Sequence, residues 1–87
     1  MRSESSETRH KLLPLSDLPI GLRGEVISVG VTGAVRRRLL DLGLVPGTKI
    51  EAVRKSPVND PVAFSIRGAT IALRRDDIRD IYIKPIS

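Results

Sequence analysis

RRRLLDLGLVPGTKI, Arg36 to Ile50, runs from arginines through leucines to Gly43 and turns again at Pro46-Gly47. Val35, Leu39 and Leu42 fall at i, i+4 and i+7, one apolar stripe of a short helix, and Arg36, Arg37 and Asp41 point away from it. Thr32 stands where an N-cap hydroxyl would accept from a first-turn amide. Gly43 sits where helices close with a left-handed residue, a conformation that a Cβ disfavours. That closure makes Leu39 and Leu44 the pair whose apolar contact accompanies it. Val45-Pro46-Gly47-Thr48 then reads as a type II turn, with Pro presetting the first central residue and Gly supplying positive φ at the second. Backbone geometry alone explains both glycines.

Strands surround this unit. Leu12 to Gly24 is punctuated by Pro14, Pro19 and Gly21 and reads as turns. Glu25 to Val31 is rich in β-branched residues and reads as a strand, with Ile27, Val29 and Val31 on one face and Val26, Ser28 and Gly30 on the other. Thr48 to Lys55 places Ile50 and Ala52 together. Ser56 to Pro61 is a loop. Val62, Phe64 and Ile66 alternate inward, Arg67-Gly68 makes a tight reversal, and Ile71 and Leu73 resume a strand. Arg74 to Asp80 reads as one helical turn, and Ile81 and Ile83 face inward at the end. The pattern predicts a mainly β fold, a small partly open barrel of about five strands with one short helix inserted after the first, its closure protecting strand edges.

With 87 residues the chain makes one domain, expected over residues 12–87. MRSESSETRHK, residues 1–11, is polar and mixed in charge, reads as a disordered tail, and has no apolar stretch that a signal peptide could use. The absence of cysteine excludes disulfides and thiolate metal sites and favours a reducing cytosol. The longest uncharged run, Val26 to Val35, falls well short of the roughly 20 apolar residues that a membrane-spanning helix needs. A net charge of +5 suits an acidic partner, nucleic acid or plain solubility alike.

Each chemistry can be weighed on its residues. The only histidine, His10, lies in the tail, and Asp76, Asp77 and Asp80 stand among Arg74, Arg75 and Arg79. Such a group reads as a salt-bridged turn that leaves only weak divalent-metal binding, so no tightly bound cofactor is expected. No Ser/His/Asp set, phosphate loop or nucleophile elbow can be assembled, which argues against an enzyme. Arg36, Arg37, Arg38, Arg54 and Lys55 could meet phosphates, yet the aromatic platforms of single-strand binders are missing, with one Phe and one Tyr in the chain. Protein binding remains. Leu40 lies off the helical stripe, flanked by Arg36, Arg37 and Asp41, and is either an ordinary part-covered leucine or the centre of an interface. Pro57, Asn59, Asp60 and Pro61 form a second candidate surface, for a partner or a second copy of the chain. Their plainer reading is a hairpin connection stiffened by proline.

Leu39-Leu40-Asp41-Leu42-Gly43-Leu44-Val45-Pro46-Gly47, Pro57-Val58-Asn59-Asp60-Pro61, Arg67-Gly68 and Ala72-Leu73-Arg74 resemble, in order and spacing, the blocks of the FeoA family. The likeness runs from about Leu15 to Ile83, with Asn59 where many relatives have glycine and Ile78 where a small residue is usual. The resemblance implies an SH3-like barrel. It further implies a cytoplasmic accessory protein of bacterial ferrous-iron uptake, acting beside the permease FeoB, which carries a GTPase domain. On this reading the chain is non-enzymatic and regulatory, and binds the cytoplasmic part of FeoB through Arg36, Arg37, Leu40 and Asp41. Gly43, Pro46, Gly47 and Gly68 serve as structural turns, and no metal ligands are assigned. Two alternatives stay open: a metal-responsive domain like the C-terminal module of iron-dependent repressors, and a basic nucleic-acid-binding barrel.

Overall fold

A computed structural model of the chain describes residues 11–86, so the expected tail lies, Lys11 apart, outside the described residues. Strands β1 (Leu13–Pro14), β2 (Arg23–Val29), β3 (Lys49–Lys55), β4 (Val62–Ile66), β5 (Ala69–Leu73) and β6 (Ile81–Ile86) form one sheet. Its order is β1-β6-β2-β3-β4-β5, every pairing antiparallel, and the end strands β1 and β5 do not pair with each other. The barrel is therefore open, and it has six strands, the extra one being a two-residue β1 too short for periodicity to reveal. Helix α1 (Gly33–Asp41) connects β2 to β3, and a single-turn helix α2 (Arg75–Ile78) connects β5 to β6.

Strand alternation builds the core. Val62, Phe64 and Ile66 of β4 are buried, and Ile50, Ala52, Leu73, Ile81 and Ile83 join them, with Leu15 and Ile78 packed into the same cluster. In β2 the expected phase does not hold. Val26 is fully buried and Ile27 is exposed, because the pairing with β6 shifts register between Val26 and Ser28. A bulge adds one residue to the strand and inverts the inside–outside order beyond it, so Val26 before it and Val29 after it both pack on the core.

The helix ends as its residues dictate. The Gly43 N–H donates to the Leu40 carbonyl at 3.0 Å and the Leu44 N–H to the Leu39 carbonyl at 3.0 Å, with Gly43 at φ +104°. This is the Schellman closure, and its apolar pair, Leu39 and Leu44, is fully buried. The Thr48 N–H donates to the Val45 carbonyl at 3.0 Å across Pro46-Gly47, returning the chain to β3. Arg67 and Gly68 both have positive φ, the requirement of a two-residue hairpin turn between β4 and β5. The start of α1 differs from expectation. Thr32 has the extended backbone of an N-cap, but its side chain makes no capping bond. Val35 is exposed, so the apolar stripe meets the core only over the last turn, through Leu39 and Leu42.

Thr48 is in phase with Ile50 and Ala52 and is buried, and its hydroxyl has no hydrogen-bond partner among the described residues. A desolvated, unpaired hydroxyl is destabilising, and valine keeps the branched shape without it. Thr48→Val is expected to raise the free energy of unfolding by about 1 kcal/mol, read as an increased urea midpoint at unchanged m-value.

Candidate functional site

Anchoring α1 by its last turn turns the opposite face outward. Gly33, Arg36, Arg37, Leu40 and Asp41, spaced along that face, line an open depression of about 340 Å³. Gly33 contributes no side chain, and Leu40 is half-buried between charged neighbours. The three arginines do not act as one patch. Arg36 reaches back so that Nη1 donates to the Val29 carbonyl at 3.4 Å. Arg38 pairs with Asp77 of α2 at 3.1 Å. Arg37 is exposed and makes no ion pair among the described residues, so it is the cation this face offers outward.

Two of the acidic residues after β5, Asp76 and Asp77, pair with separate cations, and Asp17 near the start of the fold meets a third. Asp77 is held by Arg38, Asp76 lies 3.8 Å from Arg79, and Arg75 lies 4.0 Å from Asp17. No group of three or more His, Cys, Asp or Glu side chains gathers in a metal-holding arrangement among the described residues. His10 lies outside them.

The loop from Ser56 to Pro61 is organised from within. The Asn59 N–H donates to the Ser56 carbonyl at 2.9 Å, the Asp60 N–H to Ser56 Oγ at 2.9 Å, and the Ser56 N–H to the Pro61 carbonyl at 3.2 Å. Asn59 takes the left-handed region at φ +68° and the Asp60–Pro61 bond is cis. Asp60 is half-buried, and its Oδ1 accepts from the Arg75 N–H at 3.0 Å. It thus serves the first turn of α2, where Arg74 at the N-cap position supplies no capping bond. Asp60→Ala is expected to lower unfolding stability by about 1–2 kcal/mol, measurable as a reduced thermal midpoint.

The eight candidate residues consequently fall in two places. Arg36, Arg37, Leu40 and Asp41 share the α1 depression. Pro57 and Asn59 are exposed on the loop, Asp60 faces α2, and Pro61 borders a separate groove. Gly33 belongs to the α1 face and was legible from its position one helical face-repeat before Leu40. The Arg38–Asp77 and Asp60–Arg75 contacts join residues far apart in the chain, and no local pattern announces them.

A sequence-family model, the FeoA domain, matches residues 13–85. The chain belongs to the FeoA family. This FeoA domain is 36% identical over 73 residues to an Fe(2+) transport protein A/Fe(2+) transporter FeoB fusion protein of Porphyromonas gingivalis. The match covers 84% of this chain and 9% of the fusion protein, so the chain spans a small part of that relative. Among solved structures, FeoA of Chlorobium tepidum superposes with a TM-score of 0.80 at 40% identity, covering 86% of this chain and 71% of that one. The zinc-complexed FeoA of Stenotrophomonas maltophilia, an SH3 domain protein, superposes with a TM-score of 0.73 at 30% identity, covering 83% and 89%. The SH3-like, mainly β character expected of the FeoA fold is thus shown.

Proposed function

We propose that this FeoA domain is a non-enzymatic, cytoplasmic accessory of ferrous-iron transport that docks through the outward face of α1 on the cytoplasmic GTPase part of a FeoB-type permease. The observation that carries the reading is the α1 face itself: a half-buried leucine beside an aspartate and an arginine that makes no ion pair among the described residues, on a helix fastened to the core by its last turn. An apolar centre with charges at its rim is the anatomy of a small protein interface, in which the apolar group supplies affinity and the charges steer approach. The Porphyromonas gingivalis relative supports the choice of partner, because it carries the two modules in one polypeptide. Fusion of that kind raises the effective concentration of one module at the other, so a modest interface suffices. No helix among the described residues is long and apolar enough to cross a membrane, in keeping with a domain that works beside a permease.

The nucleic-acid reading is less well supported, because Phe64 is 1% exposed within the core and Tyr82 is the only aromatic left to stack on a base. The test is a calorimetric titration of the chain with the cytoplasmic GTPase fragment of a FeoB-type permease, in GDP-bound, GTP-analogue-bound and nucleotide-free forms. Saturable binding in at least one form supports the proposal. Absence of heat and of co-migration in all three overturns it.

A further inference from the structure

The two ends of the open sheet are unlike. β1 is two residues long and ends in Pro14, a short and proline-bearing edge that resists further pairing. β5, Ala69-Thr70-Ile71-Ala72-Leu73, has none of the usual protections: no charge, no proline and no bulge, its register with β4 running unbroken from Ile66↔Ala69 to Val62↔Leu73. The other long pairings, β2–β6 and β3–β4, each contain a register shift.

Register fixes which backbone groups β5 presents. The two-residue Arg67-Gly68 turn makes Ile66↔Ala69 a hydrogen-bonded pair, so bonded pairs recur at Ile71 and Leu73. The N–H and C=O groups of Thr70 and Ala72 therefore point away from β4. Both residues are exposed, and neither makes a backbone hydrogen bond to a turn, loop or other element among the described residues. The edge offers two donors and two acceptors, spaced for an extended chain.

The outward side chains agree. Ala63 of β4 pairs with Ala72, and Arg54 of β3 pairs with Ala63. A groove of about 180 Å³, lined by Arg54, Lys55, Ser56, Pro61, Ala63 and Ala72, reaches from the cationic end of β3 to the free edge. Its base is two alanines, low enough for a neighbouring chain's side chains to lie across it. Arg74 stands just beyond the end of β5, and neither β4 nor β5 carries a carboxylate.

We infer that the free edge of β5 is a second interaction surface, which takes up an extended, acidic segment of another protein as an added strand. Backbone pairing at Thr70 and Ala72 holds the segment, and Arg54, Lys55 and Arg74 select its carboxylates. A second copy of this chain is the poorer occupant. Residues 67–75, β5 with its flanks, include no carboxylate, so the edge of a second copy has nothing to offer the cations beside the groove. The surface lies on strands and is distinct from the α1 face.

The probe is a fluorescent peptide, Glu-Glu-Val-Thr-Val-Glu-Glu, blocked at both termini, titrated with the intact chain at low salt. Saturable binding with slowed exchange of the Thr70 and Ala72 amides is expected. Ala72→Pro removes an N–H that faces solvent, so the β4 ladder is spared, and it should weaken the peptide roughly tenfold or more. Arg54→Glu, which leaves the backbone intact, should weaken it severalfold and flatten its salt dependence. Leu40→Asp should leave peptide affinity unchanged, so failure here and failure of FeoB docking read out separately. The inference is overturned if the peptide does not bind, if it binds the folded Ala72→Pro variant as well as the parent, or if the Thr70 and Ala72 amides stay unprotected. It is also overturned if sedimentation shows a dimer that Ala72→Pro dissolves, which would assign the edge to a second copy.

Discussion

Leu39→Ala is expected to lower the free energy of unfolding by about 2–5 kcal/mol, the range for removing a fully buried leucine from a core that relaxes only in part. Leu39 is 0% exposed and sits in the last turn, where α1 packs on the core. Its carbonyl accepts the Leu44 N–H at 3.0 Å in the Schellman closure, and both side chains belong to the main cluster. Truncation therefore opens a cavity and loosens the helix stop together. Native domains are stable by only about 0.05–0.15 kcal/mol per residue, so this loss takes a large share of the total for a chain so short. Urea unfolding should show a much lower midpoint. Leu39→Met, which nearly conserves volume, should change stability by less than about 1.5 kcal/mol.

Leu40→Asp, one residue on, is expected to act mainly on binding: a smaller loss of stability and a loss of partner affinity of roughly a hundredfold or more. Leu40 is half-buried and contributes nothing to the main cluster. A carboxylate in the last turn of α1 meets the negative end of the helix dipole, worth about 0.3–1 kcal/mol against it. Arg36 and Arg37, four and three residues earlier, offset part of that by about 0.2–0.5 kcal/mol per pair. With the lost contacts of the half-buried leucine and the poorer helix propensity of Asp included, the net change in folding is about 1–2 kcal/mol, below that of Leu39→Ala. At the centre of an interface the same carboxylate must be desolvated without a partner, a penalty of several kcal/mol. Calorimetry against the FeoB GTPase fragment, run beside thermal unfolding of the same sample, separates the two effects.

The contrast between these neighbours shows what the sequence made legible. Helical spacing separated Leu39 from Leu40 without coordinates, and Gly43 and Pro46-Gly47 declared the helix stop and the turn after it, because each demands a backbone conformation that few residues supply. The alternation of β4 and β6 was equally plain, since each strand buries one face. Ile27 departs from simple alternation because a bulge depends on the partner strand, β6, which lies more than fifty residues on. Val35 fits the apolar spacing yet stays exposed, since periodicity says which residues share a face and not how far along the helix the core extends. The roles of Arg38 and Asp60 were hidden for a related reason. Both act through α2, and only the folded chain brings α2 against them. The openness of the sheet followed suit: the free edge of β5 is a property of strand order, which no segment encodes alone.

Amide chemical-shift mapping of the isotopically labelled chain against the unlabelled FeoB GTPase fragment tests the account most directly. The largest changes are expected to cluster at Gly33, Arg36, Arg37, Leu40 and Asp41, with the outer face of β3 to β5 left unperturbed. A saturating interaction that leaves the α1 amides unmoved and perturbs another surface would contradict the account.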